Sequence, residues 1–181
     1  MPERIIDCCA LSNLYAGWGG LSELAGFDVS WCISKTVFNE SEYVREYEPS
    51  GNIVVVPLDL KGPVKADLLS VITAESEQEF RDYVDFATEL DDGEAESLAL
   101  AKNRRLILLM DDQKSRRVAQ RPEVNVQIIT TASVLQEWGK MSRTNHKRLK
   151  EAISRIRHLA RFHPPPGSPD RAWWDTFDDE K

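Results

Sequence analysis

The chain has 181 residues and a formal net charge of −7; 41% of its residues are hydrophobic and 29% are charged. This composition is typical of one globular domain with a substantial core, and it excludes a largely disordered chain. No run of about 18 uncharged apolar residues appears, the three cysteines lack CxxC spacing, and the segment MPERIID lacks a signal-peptide core, so we expect a cytoplasmic protein without a membrane span, a disulfide framework or a zinc site.

Short apolar segments alternate with helical patterns along the first half of the chain. The sequence predicts strands at RIID, DVSWCIS and NIVVVPLDL, and Pro57 limits the last of these to an edge or a short strand. It predicts helical stretches in ALSNLYAGWGGLSELAGF, interrupted by glycines, and a helix through KTVFNESEYVREY.

The alternation continues in the second half. Phe80, Val84 and Ala87 have helical spacing within EQEFRDYVDFATEL, and DDGEAESLALAKNRR places acids in the first turn of another helix. LILLM is the most apolar strand, QKSRRVAQR is predicted as a helix, and VQIITT as the last strand. This order predicts an α/β fold, a three-layer α/β/α sandwich around a mainly parallel sheet, followed by a C-terminal helical extension.

A basic segment follows this domain, which we place at residues 1–139. Residues 140–163 contain eight Lys or Arg against one acidic residue, and Leu149, Ile153 and Ile156 have helical spacing. The segment is therefore predicted as a basic amphipathic helix. It either docks its apolar stripe on the domain or binds RNA or a partner.

Residues 164–181 form a Pro-rich spacer and an acidic tail that contains Trp173, Trp174 and Phe177. Aromatic side chains of this kind usually find a groove. We expect the tail to dock on this domain or on a partner chain.

Acidic residues follow two of the predicted strands. Asp7 ends the first strand and Asp112 follows the most apolar one, and the carboxyl ends of parallel strands meet at one edge of a sheet. Glu94 and Glu96 open one helix but lie about 200° apart around its axis, so only one of them can face that edge.

A second such pair, Glu40 and Glu42, is subject to the same restriction in the helix predicted there. One acid from each pair, together with the two strand-end acids, gives four carboxylates without basic partners. Oxygen ligands favour Mg²⁺, or Mn²⁺ in its place. Such an ion activates water at a phosphodiester, so the predicted chemistry is nucleic-acid hydrolysis.

The order of the segments IIDCCALSNLYA, VFNE, GEAESLALAKNRRLILLMDD and SRRVA resembles the PIN-domain ribonucleases, and among them the toxin-type (VapC-like) branch with a GEAE helix. The resemblance covers about residues 4–135. It implies a PIN-like fold and an endoribonuclease that uses Mg²⁺, which Mn²⁺ can replace. It further implies an RNA substrate, a homodimer and a small antitoxin partner.

The resemblance also assigns roles to individual residues. The catalytic acids that it implies are Asp7, Glu40, Glu94 and Asp112, and the metal ligands are Asp7, Glu94 and Asp112. Ser12, Glu42 and Asp111 are auxiliary, with Asn13 a weaker candidate than Ser12 for steadying the site. Lys114, Arg116 and Arg117 are the expected RNA contacts, with Lys102, Arg104 and Arg105 as the alternative basic cluster. Most PIN domains have Asp where this chain has Glu94.

The adjacent carboxylates Asp111 and Asp112 need not occupy one place, because side chains alternate along a strand. We expect Asp112 to face the metal edge. Asp111 is expected to face away, to assist from behind the ligands, or to cap the next helix.

Two other families that cluster aspartates are excluded by order. A phosphoacceptor receiver domain has its acidic pair early, and a haloacid-dehalogenase phosphatase needs D-x-D where residues 7–9 read Asp-Cys-Cys. A non-catalytic PIN-like module that binds RNA or protein, with a drifted acidic site, stays open as the alternative.

Overall fold

The computed structural model of the protein describes residues 3–141 and 144–178. The sequence predicts three segments, residues 1–139, 140–163 and 164–181. Each of them contains some residues that lie outside the described ranges. That division stays a prediction.

The described residues form seven strands and nine α-helices. The strands are β1 (Glu3–Ile6), β2 (Ser30–Ser34), β3 (Tyr43–Tyr47), β4 (Ile53–Pro57), β5 (Ser70–Ile72), β6 (Ile107–Leu109) and β7 (Ile128–Ile129). The helices are α1 (Cys8–Trp18), α2 (Lys35–Glu40), α3 (Lys61–Lys65), α4 (Glu77–Ala87), α5 (Asp92–Arg104), α6 (Gln113–Ala119), α7 (Thr131–Gly139), α8 (His146–Arg155) and α9 (Pro169–Asp175). A 3₁₀ turn spans Ser22–Gly26 and a π-helical turn spans Ile156–Ala160.

Five parallel strands form the central sheet, in the order β5-β2-β1-β6-β7. Ile5 is in register with Cys32 and Leu108, so these three side chains share one face of the sheet. The next residue along each strand points to the other face. The prediction of a mainly parallel sheet is confirmed.

Each face of the sheet is covered by helices. One face packs against α4, α5 and α6, and the other packs against α1, α7, α8 and α9. The three-layer α/β/α sandwich is therefore confirmed, and the carboxyl ends of β1 and β6 lie side by side at one edge. None of the helices in the described residues has the length and apolar character needed to cross a membrane.

The helix predicted through residues 35–47 is wrong in its second half. Helix α2 ends at Glu40, and residues 43–47 form strand β3, which pairs antiparallel with β4 in a separate two-stranded sheet. Val44 is buried while Tyr43 and Tyr47 are exposed, an alternation that suits a half-buried strand. The helical restriction on Glu40 and Glu42 therefore does not apply.

Helix α4 is confirmed, but its buried face is polar. Phe80 and Val84, two of the apolar residues that predicted the helix, are exposed. Glu79 and Asp82 are buried instead and pair with cations of α5. Arg104 Nε donates to Glu79 Oε1 at 2.6 Å, and Lys102 Nζ donates to Asp82 Oδ1 at 2.8 Å. Two cations of the alternative basic cluster thus hold α4 on α5.

The C-terminal helices pack on the sandwich. Helix α8 buries Leu149 and Ile153 against the layer that contains α1 and α7, which is one of the two alternatives that the sequence left open for this segment. Helix α9 buries Trp174 fully and leaves Trp173 half-buried. The aromatic tail therefore docks on this domain.

Candidate active site

Asp7 links the end of β1 to the start of α1. Its backbone N–H donates to the Leu109 carbonyl at 3.1 Å, and its Oδ1 caps α1 by accepting from Ala10 N at 2.6 Å. The side chain is fully buried. Its second oxygen, Oδ2, has no hydrogen-bond partner in the described part of the chain. A buried carboxylate oxygen without a donor is costly.

Asp111 is also buried and is the strongest charged neighbour of Asp7. Its Oδ1 accepts from Thr131 N at 2.9 Å, and its Oδ2 accepts from Thr131 Oγ1 at 2.5 Å and from Asn13 Nδ2 at 2.8 Å. The partners of Asp111 lie on α1 and α7, whereas Asp112 bonds to α6, so the two carboxylates point to different places. Of the roles left open for Asp111, capping the next helix is not observed, because Asp112 caps α6. Strand β6 ends at Leu109, so strict alternation does not extend to Asp111.

Asp112 and Glu94 are joined by Ser115. Asp112 Oδ1 caps α6 by accepting from Ser115 N at 2.9 Å, while Ser115 Oγ lies 2.7 Å from Glu94 Oε2 and 3.0 Å from Asp112 Oδ1. The hydroxyl carries one proton, so it donates to one carboxylate at a time. The strand-end acid and the helix acid thus meet, as predicted.

Glu96 lies on the other side of α5 from this meeting point. Its carboxylate is buried and accepts from Thr36 N at 2.8 Å and from Thr73 Oγ1 at 3.1 Å. The prediction that only one of Glu94 and Glu96 faces the sheet edge is confirmed.

Glu40 ends α2 beside the start of α5. The absence of a side chain at Gly93 makes room for it, since a Cβ there would lie 2.9 Å from Glu40 Oε2. Burial and the nearby carboxylates of Asp92 and Asp91 raise the pKa of Glu40. Glu40 and Glu42 are both exposed, and Glu40 is the one whose carboxylate lies beside the start of α5.

The acids influence one another's protonation. Burial, followed by the charge of Asp111, raises the pKa of Asp7 well above its usual value. Burial also raises the pKa of Glu94, and the Asp112 charge adds to the effect. The pKa of Asp112 itself is lowered, because hydrogen bonds from Ser115 outweigh its burial. Burial and mutual repulsion therefore disfavour the ionised forms of Asp7 and Glu94 in the absence of a cation.

Comparison with known families shows which family the chain belongs to. The family model DUF3368, described as a PIN domain, matches residues 3–167. The chain belongs to the PIN-domain family. PIN domains are generally nucleases. No curated protein matches the sequence.

The family match runs beyond the resemblance that the motifs carry, which ends near residue 135. It includes α8 and the π-helical turn. The docked C-terminal helix thus lies within the span of the PIN-domain model.

Three basic side chains of this PIN domain lie on α6, next to Asp112. Lys114 Nζ donates to the carbonyl of Glu89, and Arg117 Nε donates to the carbonyl of Gln113 at 3.2 Å. Arg116 lies close enough to Asp111 for its charge to lower the pKa of that carboxyl, and its buried Nε has no partner in the ranges described. Their contact with RNA stays a prediction.

The donor set fits a hard divalent cation in its chemistry. Asp7, Glu94 and Asp112 offer only oxygen, and Asp7 Oδ2 is buried and unpaired within the described ranges. As the side chains stand, however, no three His, Cys, Asp or Glu residues of segments 3–141 and 144–178 converge closely enough to hold an ion. Ser115 is hydrogen-bonded to two of the three acids.

Sequence reasoning missed two of the residues that hold the acids, Ser115 and Thr131, and ranked the third, Asn13, below Ser12. Asn13, Ser115 and Thr131 donate to Asp111, Glu94 or Asp112. Ser115 could have been found from the sequence. It follows Asp112 by three residues, and an N-cap side chain accepts a hydrogen bond from the backbone N–H at that position. Thr131 is 20 residues from Asp111, and no local sequence pattern predicts their contact. Asn13, ranked below Ser12, makes the contact with Asp111, whereas Ser12 is half-buried one residue earlier.

Proposed function

We propose that this PIN domain is a divalent-cation-dependent endoribonuclease that hydrolyses RNA phosphodiester bonds in the cytoplasm. One observation carries the proposal. The Oδ2 atom of Asp7 is buried and accepts no hydrogen bond within the described residues. The charges of Asp111, Glu94 and Asp112 also act on Asp7 and raise its pKa. A divalent cation relieves both the unpaired oxygen and the accumulated negative charge.

Asp7, Glu94 and Asp112 would hold the cation, which is Mg²⁺ or Mn²⁺. When bound, such a cation neutralises charge on a phosphate and lowers the pKa of water, so that hydrolysis proceeds near neutral pH. Glu40, at the end of α2, completes the catalytic set.

The other residues of the site position these acids and the substrate. Asn13 and Thr131 fix the carboxyl group of Asp111, the strongest charged neighbour of Asp7. Lys114, Arg116 and Arg117 would bind the RNA backbone, and their position on α6, within five residues of Asp112, supports this role.

The test is cleavage of a fluorescently labelled RNA by the purified protein. We expect cleavage with Mg²⁺ or Mn²⁺, none with EDTA, and a loss of at least about 100-fold in Asp7→Asn and Asp112→Asn. Both variants must keep the wild-type circular dichroism spectrum. Asp85→Asn, on α4 in the opposite layer from α1, is the matched control and should cleave normally. Cleavage that persists in EDTA, or in Asp7→Asn, contradicts the proposal.

We also propose that the protein is the toxin of a toxin–antitoxin pair, a homodimer that a small antitoxin holds inactive. The GEAE helix and the order of the motifs support this role. Induced expression should arrest growth, and the Asp7→Asn variant should not. Growth arrest by both proteins would contradict a role that depends on cleavage.

A second candidate is a non-catalytic PIN-like module that binds RNA or protein. It is favoured by Glu94 in place of the usual Asp and by the hydrogen bonds of Ser115 to Glu94 and Asp112. RNA binding without cleavage across a broad panel of RNAs, with Mg²⁺ and with Mn²⁺, would select this candidate.

A further inference from the structure

A groove with a volume of about 410 Å³ opens beside the acidic cluster. Its floor is the first part of α1, one wall is the β3–β4 hairpin, and the other is the chain that follows the π-helical turn. Its volume falls within the range of about 300–1,000 Å³ that is usual for ligand sites. None of the acids proposed to hold the cation lines it.

The groove lies next to residues of the candidate active site. Cys8 lines it and directly follows Asp7, and the Cys8 Sγ lies 3.3 Å from Ser41 Oγ at the start of the hairpin. Asn13 also lines it and donates to Asp111. The groove therefore shares Asn13 with the hydrogen-bond network of the acids.

The hairpin wall combines an aromatic ring, an arginine and an apolar side chain. Tyr43 and Arg45 point to the same side of β3, and Arg45 is in register with Val55 of β4. Tyr43 is 63% exposed and Val55 is 66% exposed, and both line the groove. With the exposed Tyr47 and Ile53, which are in register on the same hairpin, they form an apolar patch of the kind that marks interaction sites.

The opposite wall carries a second arginine, held in place by the backbone. Arg161 has a left-handed conformation with φ of 55°, which ends the π-helical turn. The next residue, Phe162, packs edge-on against the buried Trp174 of α9, with ring centroids 5.8 Å apart. The docked tail thus supports this wall.

Arg45 and Arg161 are the charged side chains of the groove, and no contact within the described ranges neutralises either of them. Two uncompensated cations on opposite walls, with an exposed ring on one of those walls, complement a polyanion that has flat apolar groups. A single-stranded RNA has both properties, because its bases are free to stack.

We propose that this groove binds the single-stranded RNA segment next to the scissile bond. Arg45 and Arg161 contact phosphates, and Tyr43 stacks on an unpaired base. The inference rests on the proposed function for the position of the scissile bond, but the binding itself needs no cation.

Fluorescence anisotropy with a labelled single-stranded RNA 12-mer in EDTA tests the groove. We expect Tyr43→Ala to weaken binding at least about 5-fold without changing its salt dependence. Arg45→Ala and Arg161→Ala should weaken binding and reduce the slope of log K against log salt by about 0.7 each. Phe80→Ala and Arg81→Ala, on α4 in the opposite layer, are the matched controls and should bind as the wild type does.

The proposal is overturned if the wild type does not bind the 12-mer, if the three groove variants bind it as tightly as the wild type, or if an RNA duplex binds equally well. It is also overturned if the variants change only the oligomeric state measured by sedimentation, since the groove would then be a protein interface. Cleavage assays on the same proteins separate the two proposals. If the wild type binds RNA through Arg45 and Arg161 but does not cleave it, the proposal that the groove binds RNA stands and the proposed nuclease activity is contradicted.

Discussion

The buried carboxylate of Asp111 accepts hydrogen bonds from two residues, one earlier and one later in the sequence. Asn13 comes from α1 and Thr131 from the start of α7. Burial raises the pKa of Asp111, and these hydrogen bonds oppose that rise. Asp111 therefore connects the end of β6 to α1 and α7 through hydrogen bonds of its side chain.

Asn13→Ala removes one donor from this buried carboxylate. We expect the free energy of unfolding to fall by about 1–3 kcal/mol, because the oxygen loses a hydrogen bond that water cannot replace. Urea denaturation measures the change. Asn39→Ala, at an exposed position of α2, is the control and should change stability by less than about 0.5 kcal/mol. Equal effects of the two substitutions would show that the contact is unimportant.

Glu79 provides a pH-dependent contribution to stability. Hydrogen bonds from Arg104 lower the pKa of Glu79 to about 2, from an ordinary value of 4.5. Its folded pKa is depressed, so its stabilisation is fully present above pH 4.5 and is lost as the pH falls through about 2. We expect Glu79→Gln to destabilise the protein by about 2–3 kcal/mol at pH 7 and by much less near pH 2, measured by denaturant unfolding at each pH.

The exposed pair of Glu77 and Arg81 is the control for this prediction. It lies on the same helix, with an Oε1 to Nη2 distance of 2.5 Å, but it is open to solvent. Glu77→Gln should therefore cost less than about 0.5 kcal/mol at either pH. If the two Gln variants lose similar stability at pH 7, the buried pair is not what holds α4 on α5.

At the scale of elements, α1 and the C-terminal helices approach closely at Gly17. A Cβ at this position would lie 2.8 Å from Ile156 Cδ1 and 3.4 Å from the Ala152 carbonyl oxygen. Gly17 lies within α1 rather than at a break, although the sequence predicted an interruption there. Its role is to let the π-helical turn pack against α1.

Gly17→Ala should therefore destabilise the protein by about 1–3 kcal/mol, although alanine favours a helix over glycine. In an Ile156→Ala background the same substitution should cost less, because the clashing atoms are gone. A double-mutant cycle from urea denaturation measures this coupling. Additive costs would mean that the strain lies elsewhere.

Helix α9 is attached to the fold through Trp174. This ring is fully buried, whereas Trp173 is half-buried beside it. Trp174→Ala should lower the free energy of unfolding by about 3–5 kcal/mol, and Trp173→Ala by clearly less. Thermal or urea unfolding gives both values, and a smaller effect for Trp174 than for Trp173 would contradict the docking of the tail.

At the scale of the whole molecule, the sequence predicts the sandwich because its inner strands are short apolar runs between helices. RIID, SWCIS and LILLM lie in the centre of the sheet and are buried. Strand β3 was mistaken for helix because Val44 is its one fully buried side chain, which leaves little alternation to detect. Strand β5 and helix α7 were not predicted, since their places depend on partners far along the chain.

The candidate site was predictable to a similar degree. The positions of Asp7, Glu94 and Asp112 follow from strand ends and helix geometry. The positions of Asn13 and Thr131 beside Asp111 do not, because a contact across 98 or 20 residues leaves no local pattern. The same reason hides the ion pairs that make the inner face of α4 polar.

The binding of a divalent cation at Asp7 is tested most directly by titrating Mn²⁺ into the purified protein in a calorimeter. We expect saturable binding to the wild type and none to Asp7→Asn, with both proteins folded by circular dichroism. Equal binding by the two proteins, or no binding by a folded wild type, would contradict a cation held by Asp7, Glu94 and Asp112.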